Sequence, residues 1–137
     1  MDATCRWLLE QDADGEVDTT PEATEQSISD ALDTDYAALM DTVDESCVWC
    51  IGEPDRRIIE IRTFPNGRTP SYGVVATQAA EQFDTTVLAE GRELEVSSDE
   101  VLTREQAQSV FLAFFRLKSV PSGFYVVAKS YLFGPST

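Results

Sequence analysis

The sequence contains no histidine among its 137 residues. Without an imidazole, neither a Ser-His nor a Cys-His nucleophile pair can be assembled. A Gly-rich phosphate loop and the zinc motif of the deaminases are also missing. We therefore expect a protein that is not an enzyme and that holds no cofactor and no metal.

Lysine and long apolar runs are scarce as well. Lys118 and Lys129 are the only lysines, and there is no basic patch with interleaved aromatic residues, so direct nucleic-acid binding is not expected. No stretch approaches the roughly 20 apolar residues of a membrane span. The first residues have neither the basic region nor the apolar run of a secretory signal. We therefore expect no membrane partner and a cytoplasmic location.

The three cysteines, Cys5, Cys47 and Cys50, are an odd number, which favours free thiols over a disulfide framework. Cys47-Val-Trp-Cys50 matches the C-x-x-C spacing of some redox and metal sites. A redox pair needs to open a helix, whose dipole lowers the thiol pKa. Because the flanking residues are typical of a strand, a redox or metal role is the minor alternative.

Acidic residues are concentrated at the start of the chain. Sixteen of the 25 acids lie between Asp2 and Asp55, where Arg6 is the only cation, and this part carries the net charge of −15. Such a field attracts basic partners and repels nucleic acid. A salt-adapted host is the alternative explanation, although it predicts acidity along the whole chain. The concentration favours one negative surface that binds a basic protein.

The length predicts a single domain over residues 1–137, with residues 1–19 left open as a loosely ordered acidic arm. Thr20-Pro21-Glu22 predicts the start of a first helix. Thr103 with Gln106 forms a capping-box pattern that predicts a second helix. Its predicted apolar face comprises Ala107, Val110, Phe111, Phe114, Phe115 and Leu117.

The remaining pattern is that of a sheet. Residues 36–43 are ambiguous between helix and strand, because periodicity cannot settle a short apolar run. The alternation over residues 57–63 predicts a half-exposed strand. Further strands are predicted at residues 47–51, 71–78, 85–88, 92–96 and 124–131. The order of elements predicts an α+β fold, with two main helices packed on a mostly antiparallel sheet.

Several of these elements recur together in a known family. They are a charged strand at residues 93–96, Val101-Leu102, a capped helix at residues 103–115 that ends in Phe-Phe, Pro121, and a closing strand at residues 124–128. This arrangement resembles bacterial immunity proteins of polymorphic toxin systems, in the family that includes partners of DNA cytidine deaminase toxins. One difference is Phe124-Tyr125, where family members often carry a Trp.

The resemblance implies an antitoxin that binds a cognate toxin, a nucleic-acid-targeting deaminase or nuclease, and blocks its active site in a 1:1 complex. It also implies an α+β fold in which residues 37–42 form a hairpin with residues 47–51. An acidic adaptor or regulator that binds another basic protein is the alternative. A small carboxylate-dependent enzyme is a third hypothesis.

Acids in or beside loops are the candidate contacts for a basic toxin domain. Toxins that act on nucleic acid carry a basic groove, which an acidic protein can occupy. The candidates are Asp41, Asp44, Glu45, Glu53 and Asp55, with Tyr72 as an aromatic anchor.

Overall fold

The computed structural model describes residues 6–13, 16–20, 22–34, 36–53, 55–78, 83–89 and 92–129. Two helices pack on one face of an antiparallel sheet, which confirms the predicted α+β fold. The strands are β1 Trp7–Ala13, β2 Glu16–Thr20, β3 Tyr36–Asp41, β4 Cys47–Glu53, β5 Arg56–Thr63, β6 Ser71–Ala76, β7 Thr85–Ala89, β8 Arg92–Val96 and β9 Tyr125–Val127. The helices are α1 Glu25–Ala31 and α2 Arg104–Leu117, and Ser98–Glu100 forms a 3₁₀ turn.

The main sheet has seven strands in the order β2-β1-β3-β4-β5-β6-β9. Strands β7 and β8 form a separate hairpin that packs on β4 and β5. Successive side chains of a strand point to opposite faces. On β5, Ile59 faces the helices and Ile58 faces the hairpin, so the sheet is the middle layer between two apolar clusters.

The larger cluster lies between the sheet and the helices. Phe111 and Phe114 of α2 are fully buried there. The ring of Trp7 meets Phe114 edge-on, with 5.7 Å between ring centroids. The predicted apolar face of α2 is confirmed for these phenylalanines and wrong for Leu117, which closes the helix and is 74 % exposed.

Helix α1 starts later than predicted. Thr20 is the last residue of β2, and the N-cap is Thr24. The Thr24 hydroxyl accepts from the Ser27 N–H at 3.1 Å, and the Ser27 hydroxyl accepts from the Thr24 N–H at 2.8 Å. The start of α2 is confirmed, because Thr103 and Gln106 make the same reciprocal bonds.

The acidic start of the chain belongs to the sheet. Strand β1 pairs with β3 on one side and with β2 on the other, where Ala13 lies opposite Glu16. The expectation of a loosely ordered arm over residues 1–19 therefore does not fit β1 and β2, because both take part in backbone pairing. Residues 1–5, 14 and 15 lie outside the described residues.

Two strand predictions are now settled. The ambiguous segment is strand β3, which pairs with β4 so that Ala37 lies opposite Cys50. This is the hairpin that the resemblance implied. The half-exposed interpretation of β5 is wrong between Arg57 and Ile61, where every residue is buried because an apolar cluster lies on each face of the strand.

Candidate functional site

The C-x-x-C pair is not arranged for redox chemistry. Cys47 and Cys50 are three residues apart on β4, so their side chains point to opposite faces of the sheet. Burial raises the pKa of both thiols, that of Cys50 to about 12. A reactive thiol needs a lowered pKa, so neither suits that role. Within the described ranges, no group of three metal-ligating side chains occurs.

Asp41, one of the predicted contact residues, is fully buried at the end of β3. Its carboxylate accepts hydrogen bonds from Lys118 Nζ at 2.8 Å, from Arg6 at 3.2 Å and from the Val43 N–H at 3.0 Å. Lys118 also pairs with Asp44. This cluster ties the end of α2 to the turn between β3 and β4. The charge of Asp41 is therefore paired with cations of its own chain.

The ion pairs determine the titration of these groups. Burial opposes ionisation of Asp41, but the bonds from Lys118, Val43 and Arg6 outweigh it and hold its pKa below the ordinary 3.8. The pKa of Asp44 is lowered in the same way, with burial again outweighed by Lys118 and Ser46. The two carboxylates in turn raise the pKa of Lys118 above 10.5, against the effect of its partial burial.

Replacing Lys118 by methionine is expected to lower the free energy of unfolding by about 1.5–3 kcal/mol at about pH 7, since it removes charged hydrogen bonds to a buried carboxylate. Methionine keeps an unbranched apolar stem. Residue 118 has a positive φ of 55°, which methionine and lysine tolerate equally. The lowered carboxylate pKa values mean that the contribution is present above about pH 4 and is lost as the pH falls further. The raised lysine pKa means that it also disappears as Lys118 deprotonates above about pH 10.5.

Urea denaturation of the parent protein and the Lys118→Met variant at about pH 7 and about pH 2.5 measures this difference. We expect a clear gap at the higher pH and a markedly smaller one at the lower pH. A gap of constant size would contradict the assignment, because it would show that Lys118 acts through packing alone.

Folding also reduces the separation of charge seen along the sequence. Arg104 of α2 bonds to Asp33 at 2.5 Å, and Arg116 bonds to Glu25 at 2.7 Å. Together with the Lys118 pairs, these contacts join cations of the second part of the chain to acids of the first. Around the helices, the acids therefore do not form the single negative surface that the sequence favours.

The predicted contact residues lie at different places in the fold. Asp44 and Glu45 are exposed in the turn between β3 and β4, whereas Glu53 and Asp55 are exposed at the opposite end of β4. A seven-residue strand is about 20 Å long, so the structure does not bring the two pairs together. Tyr72 lies on β6 and is partly exposed. Partner binding by these residues stays a prediction.

A surface that the sequence did not single out lies on the sheet face away from the helices. The β7–β8 hairpin covers one part of this face, at Ile51, Ile58 and Val74. We call the other part the open face, because each of its larger side chains is partly exposed. Strand pairing places on it Leu8, Glu10, Ala38, Met40, Cys47, Trp49, Arg62 and Tyr72.

The open face contains a hollow of about 190 Å³. Glu10, Ala38 and Trp49 lie side by side on β1, β3 and β4, since Ala38 is the register partner of both others. The small methyl group of Ala38 between two long side chains leaves a space. The hollow is lined by Leu8, Glu10, Ala38, Met40, Cys47 and Trp49.

A hydrogen-bonded chain fixes the polar wall of this hollow. The indole N–H of Trp49 bonds to the Tyr36 hydroxyl, which donates to Glu10 Oε1 at 3.1 Å. Burial and the neighbouring Glu10 charge raise the pKa of Tyr36, so the phenol stays protonated and remains a donor. The carboxylate is thereby held in a defined orientation beside the indole ring.

Arg62 connects the open face to the turn between β3 and β4. Its guanidinium lies 5.2 Å from the centroid of the Trp49 ring and 5.7 Å from that of Phe64. Two of its nitrogens donate to the Glu45 carbonyl at 3.2 and 3.0 Å. Trp, Tyr, Met and Arg are enriched at the centres of protein interfaces, and the open face carries all four.

A larger cleft of about 350 Å³ lies between α2 and the β5–β6–β9 end of the sheet. Its walls include Ile61, Phe114, Val120 and Val126, and Gly73 lies in its floor. Lys118 is the only charged residue that lines it, among the residues described, and that charge is already paired with Asp41 and Asp44. The cleft therefore does not place two acids together, as a carboxylate-dependent enzyme would require.

No protein-family model matches this chain, and neither a curated protein nor a solved structure matches it. Within the described ranges, neither helix is long and apolar enough to cross a membrane. The resemblance to immunity proteins therefore rests on the sequence elements given above, and function enters as a proposal built on the open face.

Proposed function

We propose that this protein is an immunity protein that binds a cognate bacterial toxin domain and blocks its active site. The complex is 1:1 and forms in the cytoplasm of the cell that makes the toxin. The open face is the surface that contacts the toxin. The resemblance in the second half of the chain supports the toxin as partner, and the composition of the open face is the observation that carries the proposal.

The open face suits the centre of a protein interface. It extends over β1, β3, β4, β5 and β6, a width of about 19 Å at about 4.8 Å between strands. A hydrogen-bonded sheet fixes the backbone beneath these side chains, so little backbone entropy is lost on binding. Trp49, Tyr72 and Arg62 are the residue types that most often dominate binding energy.

Charge supports a basic partner. The net charge of −15 accelerates encounter with a cationic protein even where part of the charge is paired internally. Glu45 is exposed. It lies next to the open face, since its carbonyl accepts a hydrogen bond from Arg62 of that face. Glu45 therefore belongs to the polar rim of the proposed interface. Tyr72 lies on the open face itself and so within the interface.

The test is whether this protein neutralises the product of the adjacent reading frame. That product is expressed in bacteria with and without this protein, and growth is measured. We expect rescue of growth by the parent protein. We expect Trp49→Ala to weaken binding of the purified pair by about 30-fold or more, as removal of a central aromatic residue does. Leu117→Ser is the matched control, because this exposed apolar residue lies at the end of α2, away from the open face.

Three outcomes decide the proposal. Loss of binding with Trp49→Ala but not with Leu117→Ser supports the open face, provided that both variants keep the parent unfolding midpoint. If the Trp49→Ala variant still neutralises the toxin, the interface lies elsewhere on the protein. A bound neighbour that is not toxic would favour an acidic adaptor or regulator, and the immunity assignment would be wrong.

A further inference from the structure

The geometry points to the hollow on the open face as a receptor for one arginine side chain of the partner protein. This inference rests on the proposed function, because it names the chemical group that the partner inserts there. The guanidinium would pair with the Glu10 carboxylate and stack against Trp49. Ala38 would form the floor beneath its aliphatic stem.

The size of the hollow fits such a side chain. At about 30 Å³ for each water molecule, 190 Å³ holds about six waters. An arginine side chain has seven non-hydrogen atoms and is narrow and flat at its end. Leu8 and Met40 supply apolar wall for the methylene stem, as arginine stems require. Ala38 is 4 % exposed, so a larger residue at this position would occupy the space itself.

The chemistry of the walls selects a cation. Tyr36 donates to one oxygen of Glu10 and orients the carboxylate. A partner guanidinium can approach that carboxylate with two parallel N–H groups. An apolar side chain would instead cover the charged Glu10 carboxylate and add no donor to the one that Tyr36 supplies, which costs free energy.

The Trp49 ring favours arginine over lysine. Within the chain this ring already stacks with a guanidinium, that of Arg62 at 5.2 Å. A planar guanidinium gains from stacking on an indole and from forked bonding to a carboxylate, whereas an ammonium acts as a compact, strongly hydrated point charge. The combination of Glu10, Tyr36 and Trp49 is therefore specific for the shape as well as the charge of the ligand.

The inference can be tested without the toxin. The probe is N-acetyl-arginine amide, titrated into isotope-labelled protein and followed by NMR. We expect saturable shifts at the Trp49 indole and at the Ala38 amide, with a dissociation constant of about millimolar or weaker. N-acetyl-citrulline amide has nearly the same shape without the charge and is expected to shift neither signal. The corresponding lysine amide is expected to bind more weakly than arginine.

Three variants locate the site. Glu10→Gln keeps the shape of the side chain and is expected to weaken binding of the arginine probe by about fivefold or more, since it removes the ion pair. Ala38→Met fills the hollow and is expected to abolish the shifts. Glu93→Gln removes an exposed acid of β8 and is expected to change nothing. The spectra of the parent protein and the three variants without probe show whether each variant retains the fold.

Equal binding of arginine and citrulline, or shifts that survive both Glu10→Gln and Ala38→Met, would overturn the inference. So would the absence of any saturable shift in the parent protein. If the probe fails while Trp49→Ala still abolishes toxin binding, the hollow is not an arginine site and the immunity proposal stands. If the probe binds but the adjacent product does not, the hollow stands and the immunity assignment falls.

Discussion

Replacing Arg57 by leucine is expected to lower the free energy of unfolding by about 3–5 kcal/mol, because it removes two charged hydrogen bonds in the interior. The Arg57 side chain is fully buried. It donates to the carbonyl of Thr34 at 2.6 Å and to that of Leu32 at 2.5 Å. These are carbonyls at and just beyond the end of α1, which has no basic residue in its last turn to satisfy them.

The Arg57 backbone completes the same junction. Its N–H donates to the Leu102 carbonyl, and its own carbonyl accepts from the Leu102 N–H, both at 2.8 Å. One residue of β5 therefore holds the end of α1 and the segment that leads into α2. Leucine keeps this backbone bridge but leaves the carbonyls of Leu32 and Thr34 without their charged donors. The loss is a large part of the roughly 5–15 kcal/mol that stabilises a domain of this kind.

Chemical denaturation followed by circular dichroism measures this effect. Arg57→Lys keeps the charge but not the fork, so it is expected to lose about half as much stability. Arg68→Leu is the control, since Arg68 is exposed in the turn after β5 and its replacement is expected to change stability by about 0.5 kcal/mol or less. Equal losses in Arg57→Leu and Arg68→Leu would show that the buried bonds carry no net stability.

Local signals in the sequence predicted the elements whose chemistry is local. The capping box at Thr103 depends only on residues within one helical turn, and it appears as predicted. The start of α1 was misplaced because two threonines, Thr20 and Thr24, are both competent caps. Only the pairing of β1 with β2 draws the first of them into a strand.

Burial of charged residues depended on contacts that local patterns do not encode. The polar side chains of Glu60 and Arg62 on one side of β5 predict a half-exposed strand, yet Glu60 is fully buried, and so is Arg57 on the other face. Their burial follows from the layers that cover the two faces of β5, the helices on one and the β7–β8 hairpin on the other, and only the folded chain brings these layers together. An alternating pattern predicts which residues share a face, but not what covers that face.

The same limit explains the charge pattern. Sixteen acids before residue 56 suggested one anionic surface, but folding brings the cations of α2 beside them. Arg104 and Arg116 reach back 71 and 91 residues to Asp33 and Glu25. Separation of charge along a chain thus predicts net charge and long-range steering, whereas its distribution in space depends on tertiary pairing.

The candidate site was only partly within reach of the sequence. Tyr72 was predicted as an aromatic anchor and lies on the open face, although its binding role stays a prediction. Glu10, Ala38 and Trp49 come from three strands, and their juxtaposition depends on the register of two ladders. A shift of one residue in either ladder would place Glu10 or Trp49 on the opposite face of the sheet. No single segment therefore carries the signal of the hollow.

Replacing Gly52 by alanine is expected to cost about 3–5 kcal/mol, because backbone strain and a steric clash act together there. Gly52 adopts a φ of 115°, which side chains other than glycine rarely tolerate. An added Cβ would lie 2.3 Å from the Arg56 carbonyl oxygen and 3.1 Å from Val87. Since the first of these contacts is backbone, the connection between β4 and β5 would have to open.

Gly67→Ala separates the two causes. Gly67 also has a positive φ, but a Cβ there would meet nothing within 4 Å, so only the backbone strain of about 1–3 kcal/mol is expected. Thermal unfolding of the two variants beside the parent protein gives the difference. A Gly52→Ala loss no larger than that of Gly67→Ala would show that the turn yields without cost. A larger loss means that β4, β5 and the β7–β8 hairpin meet so closely at Gly52 that only a residue without a side chain fits.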